Sequence, residues 1–333
     1  MTTELSFRLL NDWQRDFPLV ATPFASLADA CGSDEHTVLD RYAALQSEGA
    51  ISRLGGIWGA GAGGAALLCA FAVPPLRLDA VAALVSAQAG VNHNYERENH
   101  HNLWFVITGC TLDAVRSGVD SLEAQTGLTA LRLPMRRAYR IDLGFDLRGP
   151  LATHAAGVGR RLPAVPVSEA DAPLAALVEN GLPLLPRPYE AWAQALNQPH
   201  DEVLATLQRW LREGTLRRFG VVVRHHEAGF AHNAMTVFDV PDAQVDGYGA
   251  TLAAQSGITL AYRRERAPGW RYNLYCMVHG RSRDAVHAAL ASAIARSGLQ
   301  SHAHTVLFSR RRFKQAGGRY FQKISSIAQH AAV

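Results

Sequence analysis

VNHNYERENHHNLWFVITG, residues 91–109, decides how the chain is read. Its first half alternates, a polar loop follows, and it ends in an apolar run. A period of two marks a β-strand, and a short polar break between two such runs marks a hairpin. The alternation sets Val91, His93, Tyr95 and Arg97 on one strand face, with His100 and His101 at or just after the turn. Three histidines and an arginine within ten residues stand out in a chain that holds 14 histidines. A hairpin does not need them to form.

The hairpin is written twice. AQAGVNHNYERE (87–98) returns as AQSGITLAYRRE (254–265), and HNLWFVITG (101–109) returns as YNLYCMVHG (272–280). Upstream, GAISRLGG (49–56) returns as GTLRRFGV (214–221) in the same order. Three blocks in one order mean a duplicated unit, at about 1–148 and 173–325. Each copy opens with two helical segments, 26–30 and 34–48, then 189–196 and 201–213. Ser33 or Asp34 is placed to cap the second helix, and Gly49 and Gly214 stop it. A helix pair, a glycine and a β-rich run resemble a winged helix-turn-helix.

Each copy then reads strand, helix, strand, strand, helix, strand. The segments are 65–73, 77–89, 91–98, 101–109, 111–126 and 129–140, then 231–240, 242–256, 258–265, 271–280, 282–296 and 302–312. The expected class is α+β, a tandem duplication of a winged helix-turn-helix plus a ferredoxin-like (βαββαβ) domain. The domains fall at 1–60 and 61–148, a linker at 149–172, then 173–220 and 221–325. The bare face of each sheet is expected to pack against the sister half, an intramolecular pairing that leaves a homodimer open.

Composition narrows the function. A chain of 333 residues, 48% hydrophobic and 19% charged, suits a soluble globular protein of two or three domains. Residues 55–76 carry no charge, but their six glycines and the Pro74-Pro75 end argue against a membrane span. Acidic and basic residues from Glu4 to Asp16 leave no room for a signal peptide. Cys31, Cys69, Cys110 and Cys276 form no CxxC pair, so a reducing, cytoplasmic setting is expected, without disulfides or a protein-built metal site. Residues 309–323 hold Arg310, Arg311, Arg312, Lys314, Arg319 and Lys323 with no acid, which reads as a solvated edge strand or as a contact for a polyanion.

The architecture resembles the Lrp/AsnC regulators, so DNA binding has to be weighed. Residues 34–48 hold four acids (Asp34, Glu35, Asp40, Glu48) against Arg41, a balance of −3. Residues 201–213 hold three acids against Arg209 and Arg212, a balance of −1. Helices of that charge repel phosphates, and no nucleic-acid partner is expected. HExxH, GxSxG, P-loop and dinucleotide fingerprints are missing as well.

The two copies differ where the chemistry would sit. Copy two keeps Tyr262 and Arg264 where copy one has Tyr95 and Arg97, but has Leu260 in place of His93. Its loop, RAPGWR, carries Arg266 and Arg271 where copy one has the double histidine. It also has RHHEAGF (224–230), where copy one has only GAGAGG. Arginine forks bind carboxylates in pairs, and histidines carry protons near neutrality or ligate iron. With Tyr95, Trp104, Tyr262, Trp270 and Tyr272 as flat walls, the inventory describes a pocket for a large, planar polycarboxylate.

VNHNYERENHHNLWF, RHHEAGFAHNAM and YRRERAPGWRYNLYCMVHG together resemble the siroheme decarboxylases, Lrp/AsnC-like proteins that often occur as paired subunits of the NirD/NirL type. This chain resembles a fused form, along nearly its whole length. The resemblance implies loss of carbon dioxide from the C12 and C18 acetates of siroheme, giving 12,18-didecarboxysiroheme for heme d1 or the alternative heme pathway. It implies siroheme as the partner, contacts with other tetrapyrrole enzymes, and no added cofactor, the iron tetrapyrrole being the substrate. On that reading His100 and His101 donate protons or face the iron, with His93 in support. Arg97, Arg224, Arg263, Arg264 and Arg266 clamp carboxylates, and Tyr95, Trp104, Tyr262 and Tyr272 line the ring. His225 or His226 is an axial iron ligand or second acid. The alternative is a heme-binding regulator of the same architecture without catalysis.

Overall fold

The computed structural model describes residues 4–141, 144, 147–148, 164–224 and 230–322. Copy one runs α1 (Glu4–Asn11), α2 (Pro23–Cys31), α3 (Glu35–Ser47), β1 (Ile51–Trp58), β2 (Ala65–Phe71), α4 (Leu78–Ala87), β3 (Val91–Arg97), β4 (Leu103–Gly109), α5 (Leu112–Thr126), β5 (Leu131–Leu133) and β6 (Met135–Ile141). Copy two runs α6 (Ala172–Asn180), α7 (Pro188–Leu196), α8 (His200–Glu213), β7 (Leu216–Val223), β8 (His232–Phe238), α9 (Val245–Ala253), β9 (Ile258–Arg264), β10 (Leu274–Gly280), α10 (Arg283–Arg296) and β11 (His304–Gln315). The sequence reading has no counterpart for α1 and α6.

The chain forms two units. The first gathers the helical parts of both copies. Asp34 caps α3 by accepting the Thr37 amide at 2.9 Å. Among the described residues β1 forms no wing hairpin within its own half. It pairs antiparallel with β7 from the sister half, Gly55 opposite Gly220. Aromatic rings cross the same division: Phe17 meets Phe219 at 6.3 Å, and Trp58 meets Trp210 at 5.4 Å. These shared contacts bind the two helix sets into one core.

The second unit holds both βαββαβ motifs. Thr111 and Ser282 cap α5 and α10 in matching positions, each accepting an amide at 3.1 Å. Leu67, Cys69 and Phe71 of β2 pack under α4 and α5, while Leu68 and Ala70 point to the other face. That second face joins Leu133, Met235, Val237, Trp270, Tyr275 and Leu307 in a core drawn from both copies. The period of two thus separates a helix-side core from a shared interior.

The halves are joined by exchanged strands. Among the described residues the order is β5-β2-β4-β3-β11-β8-β10-β9-β6. The expected strand at 129–140 breaks at Pro134, which has no N–H to give to a ladder. Before it, β5 pairs with β2 of its own copy; after it, β6 pairs with β9 of the sister copy. β11 makes the same crossing unbroken: residues 304–308 pair with β8 and 309–315 with β3. Because β5 and β6 are separated by one residue, the two ends of this order meet at Pro134 and the sheet curls into a barrel-like closure, with β5 laddered to β2 and β6 to β9.

Candidate active site

The barrel has two equivalent seams, where one copy's sheet meets the other. At seam A the Glu98 amide donates to Phe308 O at 2.9 Å and Arg97 Nη1 to Leu307 O at 3.1 Å. At seam B the Glu265 amide donates to Pro134 O at 2.9 Å and Arg264 Nη1 to Leu133 O at 2.9 Å. Each arginine also lies over the tyrosine two residues earlier, Arg97 on Tyr95 at 5.5 Å and Arg264 on Tyr262 at 5.2 Å.

Seam A continues the row to His93, whose ring stacks on Tyr95 at 6.3 Å. Val91 does not share this face as the alternation suggested. A bulge between Val91 and His93 turns Val91 into the helix-side core. His93, Tyr95 and Arg97 remain together on the interior side. Arg97 is 7% exposed, and its side chain donates to neutral oxygens only, Leu307 O and Asn233 Oδ1 at 3.3 Å. No carboxylate forms an ion pair with it among the described residues. Burial, partly offset by the Tyr95 phenol, lowers its pKa to about 10, so it stays charged at neutral pH. Burial also lifts the Tyr95 phenol to about 12.

Burial, reinforced by the Arg97 charge, holds His93 down at about 4, so its imidazole is neutral near pH 7. That sign has a consequence for stability. The contribution is complete above the unfolded value near 6.5 and drains away as pH falls towards 4. Acidification across that window is expected to cost about 2 kcal/mol through this group, after discounting for partial exposure. His93→Leu, which installs the Leu260 of the sister strand, should remove that share of the acid sensitivity. Urea midpoints of both proteins at pH 7 and pH 4.5 measure it.

The hairpin histidines lie in a second cluster. His101 meets Trp270 edge-on at 5.6 Å, Trp270 meets Trp104 at 5.3 Å, and Tyr272 meets Trp270 at 5.0 Å. Trp104 Nε1 donates to His101 O at 2.6 Å, and Trp270 Nε1 to Tyr275 Oη at 2.7 Å. Thus the β3–β4 loop of one copy rests on the β9–β10 loop of the other. His100 is exposed and packs against His101 at 5.2 Å. Burial, then the His100 charge, lowers the pKa of half-buried His101.

The other expected clamps lie elsewhere. Arg263 is on the helix side of β9, one residue from Arg264 and so on the opposite face, 3.7 Å from Asp246 and 3.8 Å from Asp242. Arg266 is tied to Asp239 at 2.5 Å and to Val240 O at 2.8 Å. Tyr272 Oη shares a 2.7 Å hydrogen bond with Thr305 Oγ1. Arg224 belongs to the first unit, where its amide donates to Ala50 O at 2.9 Å and its Nε has no partner among the described residues. His225 and His226, the expected iron ligands, lie outside the described residues.

Seam A also holds Asn233 and His279, which the sequence reading did not place at the site, and Arg312, which it named only as part of the basic run. Asn233 is 2% exposed and, beside accepting from Arg97, leaves its Nδ2 without a partner among the described residues. His279 lies opposite Asn233 across the β8–β10 ladder, its Nδ1 2.9 Å from Thr259 Oγ1. Arg312 stands opposite Tyr95 on β11, with Nη1 3.2 Å from Gln315 Oε1. Its neighbours on the basic strand turn outward: Arg311 pairs with Glu96 at 2.6 Å and Asp79 at 2.8 Å, and Arg310 lies 3.8 Å from Glu98.

The pairing registers place Ala66, Thr108 and Ala138 of seam B where seam A has Asn233, His279 and Arg312. The chain leaving β11 crosses the copy-one sheet from β3 to seam B: the Ala316 amide donates to Asn92 O at 2.7 Å, and the Arg319 amide to Thr108 Oγ1 at 2.9 Å. Gly64, at φ +59, admits the Tyr320 backbone where a Cβ would come within 2.9 Å of it.

Fold and cluster define a class: paired helix-turn-helix segments with an AsnC-like domain closed around a polar seam. Residues 62–140 and 227–314 match the AsnC-like ligand binding domain, and residues 7–51 and 171–217 match the siroheme decarboxylase NirDL-like HTH domain. The siroheme decarboxylase NirDL subunit of Paracoccus denitrificans (strain Pd 1222) is 41% identical over 315 residues, covering 94% of this chain and 96% of that one. A crystal structure of the siroheme decarboxylase NirDL superposes with a TM-score of 0.67 at 28% identity, over 96% of this chain and 95% of that one. A crystal structure of the siroheme decarboxylase NirDL in co-complex with an iron-uroporphyrin III analogue gives a TM-score of 0.63 at 28% identity, over 93% of this chain and 92% of that one. The chain belongs to the siroheme decarboxylase NirDL family.

Proposed function

We propose that the chain removes carbon dioxide from the C12 and C18 acetate side chains of siroheme, giving 12,18-didecarboxysiroheme on the way to heme d1 or the alternative heme. The family match along nearly the whole chain carries this reading, supported by a buried arginine held by neutral oxygens in one row with Tyr95 and His93. Siroheme brings many carboxylates, and a buried guanidinium held only by neutral oxygens is suited to receive one.

Losing carbon dioxide from a pyrrole acetate leaves carbanion character that the ring absorbs and a proton must quench. Arg97 orients a carboxylate beside Tyr95. His101 supplies the proton, which it takes up from solvent before passing it on, and Trp270 holds the ring edge-on. His100 lies next to it as the relay to solvent. His93, neutral before binding, gains a proton affinity when carboxylates approach. Arg264 and Tyr262 hold the sister seam by the same contacts that Arg97 and Tyr95 make at seam A. No organic cofactor enters this chemistry.

Anaerobic incubation with siroheme followed by mass analysis of the tetrapyrrole tests the reading. Loss of two carbon dioxide molecules per ring is expected. Unchanged siroheme, together with retarded migration of duplex DNA, would replace the enzyme with a heme-binding regulator.

A further inference from the structure

Of two seams built from one repeat, a single one is furnished for an anion. Seam A has His93, Arg312, Asn233 and His279 where seam B has Leu260, Ala138, Ala66 and Thr108. Arg97 has only donors to offer, so the Asn233 oxygen must face it and the amide nitrogen must face away. That nitrogen is a buried donor without a partner among the described residues, in a protein interior where such groups are normally satisfied. Arg312 enters the same row opposite Tyr95 and has Gln315 Oε1 among its partners, and Arg310 and Arg311 lie beside acids outside the row. In seam B the Thr108 hydroxyl, the counterpart of His279, is already taken by the Arg319 amide.

We propose that Asn233 and Arg312 act with Arg97 as the carboxylate-holding residues of seam A, and that the chain therefore carries one tetrapyrrole site, seam B holding none. The nature of the ligand rests on the siroheme reading above; the placement rests on the seams. Asn233 works in two directions, fixing the Arg97 fork with its oxygen and offering its amide N–H to a second carboxylate oxygen. Arg312 adds a fork from the exchanged strand, so a single polyacid touches both copies at once.

The test is an absorbance titration of the full chain with iron-uroporphyrin III, with the thermal midpoint recorded for every variant. One equivalent should bind per chain. Asn233→Ala and Arg312→Ala should each weaken binding by about tenfold or more, the worth of a charge-assisted hydrogen bond. Asn233→Asp, which keeps an oxygen for Arg97 at the same reach but replaces the N–H donor with a second acceptor, should bind at least as weakly as Asn233→Ala while melting no lower than the parent. Arg310→Ala, an arginine of the same strand facing outward, should bind normally. In turnover, the Asn233 and Arg312 variants should raise KM and leave kcat nearly unchanged. Two equivalents per chain, or parental affinity in both variants, would overturn the proposal while leaving siroheme turnover intact. A parent chain that binds no iron-uroporphyrin III would overturn the siroheme reading and this proposal with it.

Discussion

His101→Ala is expected to keep the iron tetrapyrrole bound and to lose carbon dioxide release by about 10²–10⁴-fold, the usual worth of a positioned general acid. The ring is half-buried and lies edge-on to Trp270, and burial lowers its pKa, so the alanine removes a proton carrier whose orientation the fold has set. The loop itself should survive, because the bonds that shape it come from the backbone. The His101 amide donates to Asn99 Oδ1 at 3.0 Å, and His101 O accepts from Trp104 Nε1. His100→Ala should give the smaller loss, since that side chain is exposed and acts through its neighbour. Tetrapyrrole absorbance reports binding and trapped carbon dioxide reports turnover. Undiminished turnover in both variants would remove the pair from the mechanism.

Trp270→Ala is expected to destabilise the barrel by about 3–5 kcal/mol, the range for losing a large aromatic from a packed core. Trp270 is 5% exposed and packs against Trp104 of the other copy. Its Nε1–H is also the donor to Tyr275 Oη. Truncation therefore opens a cavity, removes a hydrogen bond and frees His101 from its edge contact. Trp270→Phe separates these effects, since it keeps a ring but not the donor, and should cost about 1–2 kcal/mol. Urea unfolding gives the free energies. A loss below about 1 kcal/mol for the alanine variant would mean that the two hairpin loops are not energetically joined.

The repeat made most of this fold legible. Copies of GAISRLGG, AQAGVNHNYERE and HNLWFVITG, with strand periodicity between them, lead to the βαββαβ order and to the intramolecular pairing. The exchange of β6 and β11 was not legible, because pairing partners are a tertiary choice that a strand's own pattern leaves open. Pro134 was the local sign, a residue that cannot sit within an unbroken ladder. The bulge at Asn92 was equally hidden, and it alone turns Val91 away from His93.

The candidate site was legible where charge stood out against the repeat and illegible where pairing decided direction. Arg97 and Arg264 lie at matched seams, but Arg263, one residue from Arg264, was bound to face the helices in any strand. Arg266 has its own acid in Asp239, 27 residues away in sequence and adjacent only after folding. Asn233 and Arg312 could have been found by aligning the first and last strands of the two copies, where alanines stand in the other half. The signal was there, but those blocks are too divergent to align until the ladders fix their register.

The most direct measurement is the crystal structure of this chain with iron-uroporphyrin III bound. The expected result is one macrocycle per chain at seam A, with carboxylates on Arg97, Arg312 and the Asn233 amide and an imidazole of the 93–101 hairpin beside an acetate. A macrocycle at seam B, or one remote from both the hairpin histidines and Arg97, would contradict the account.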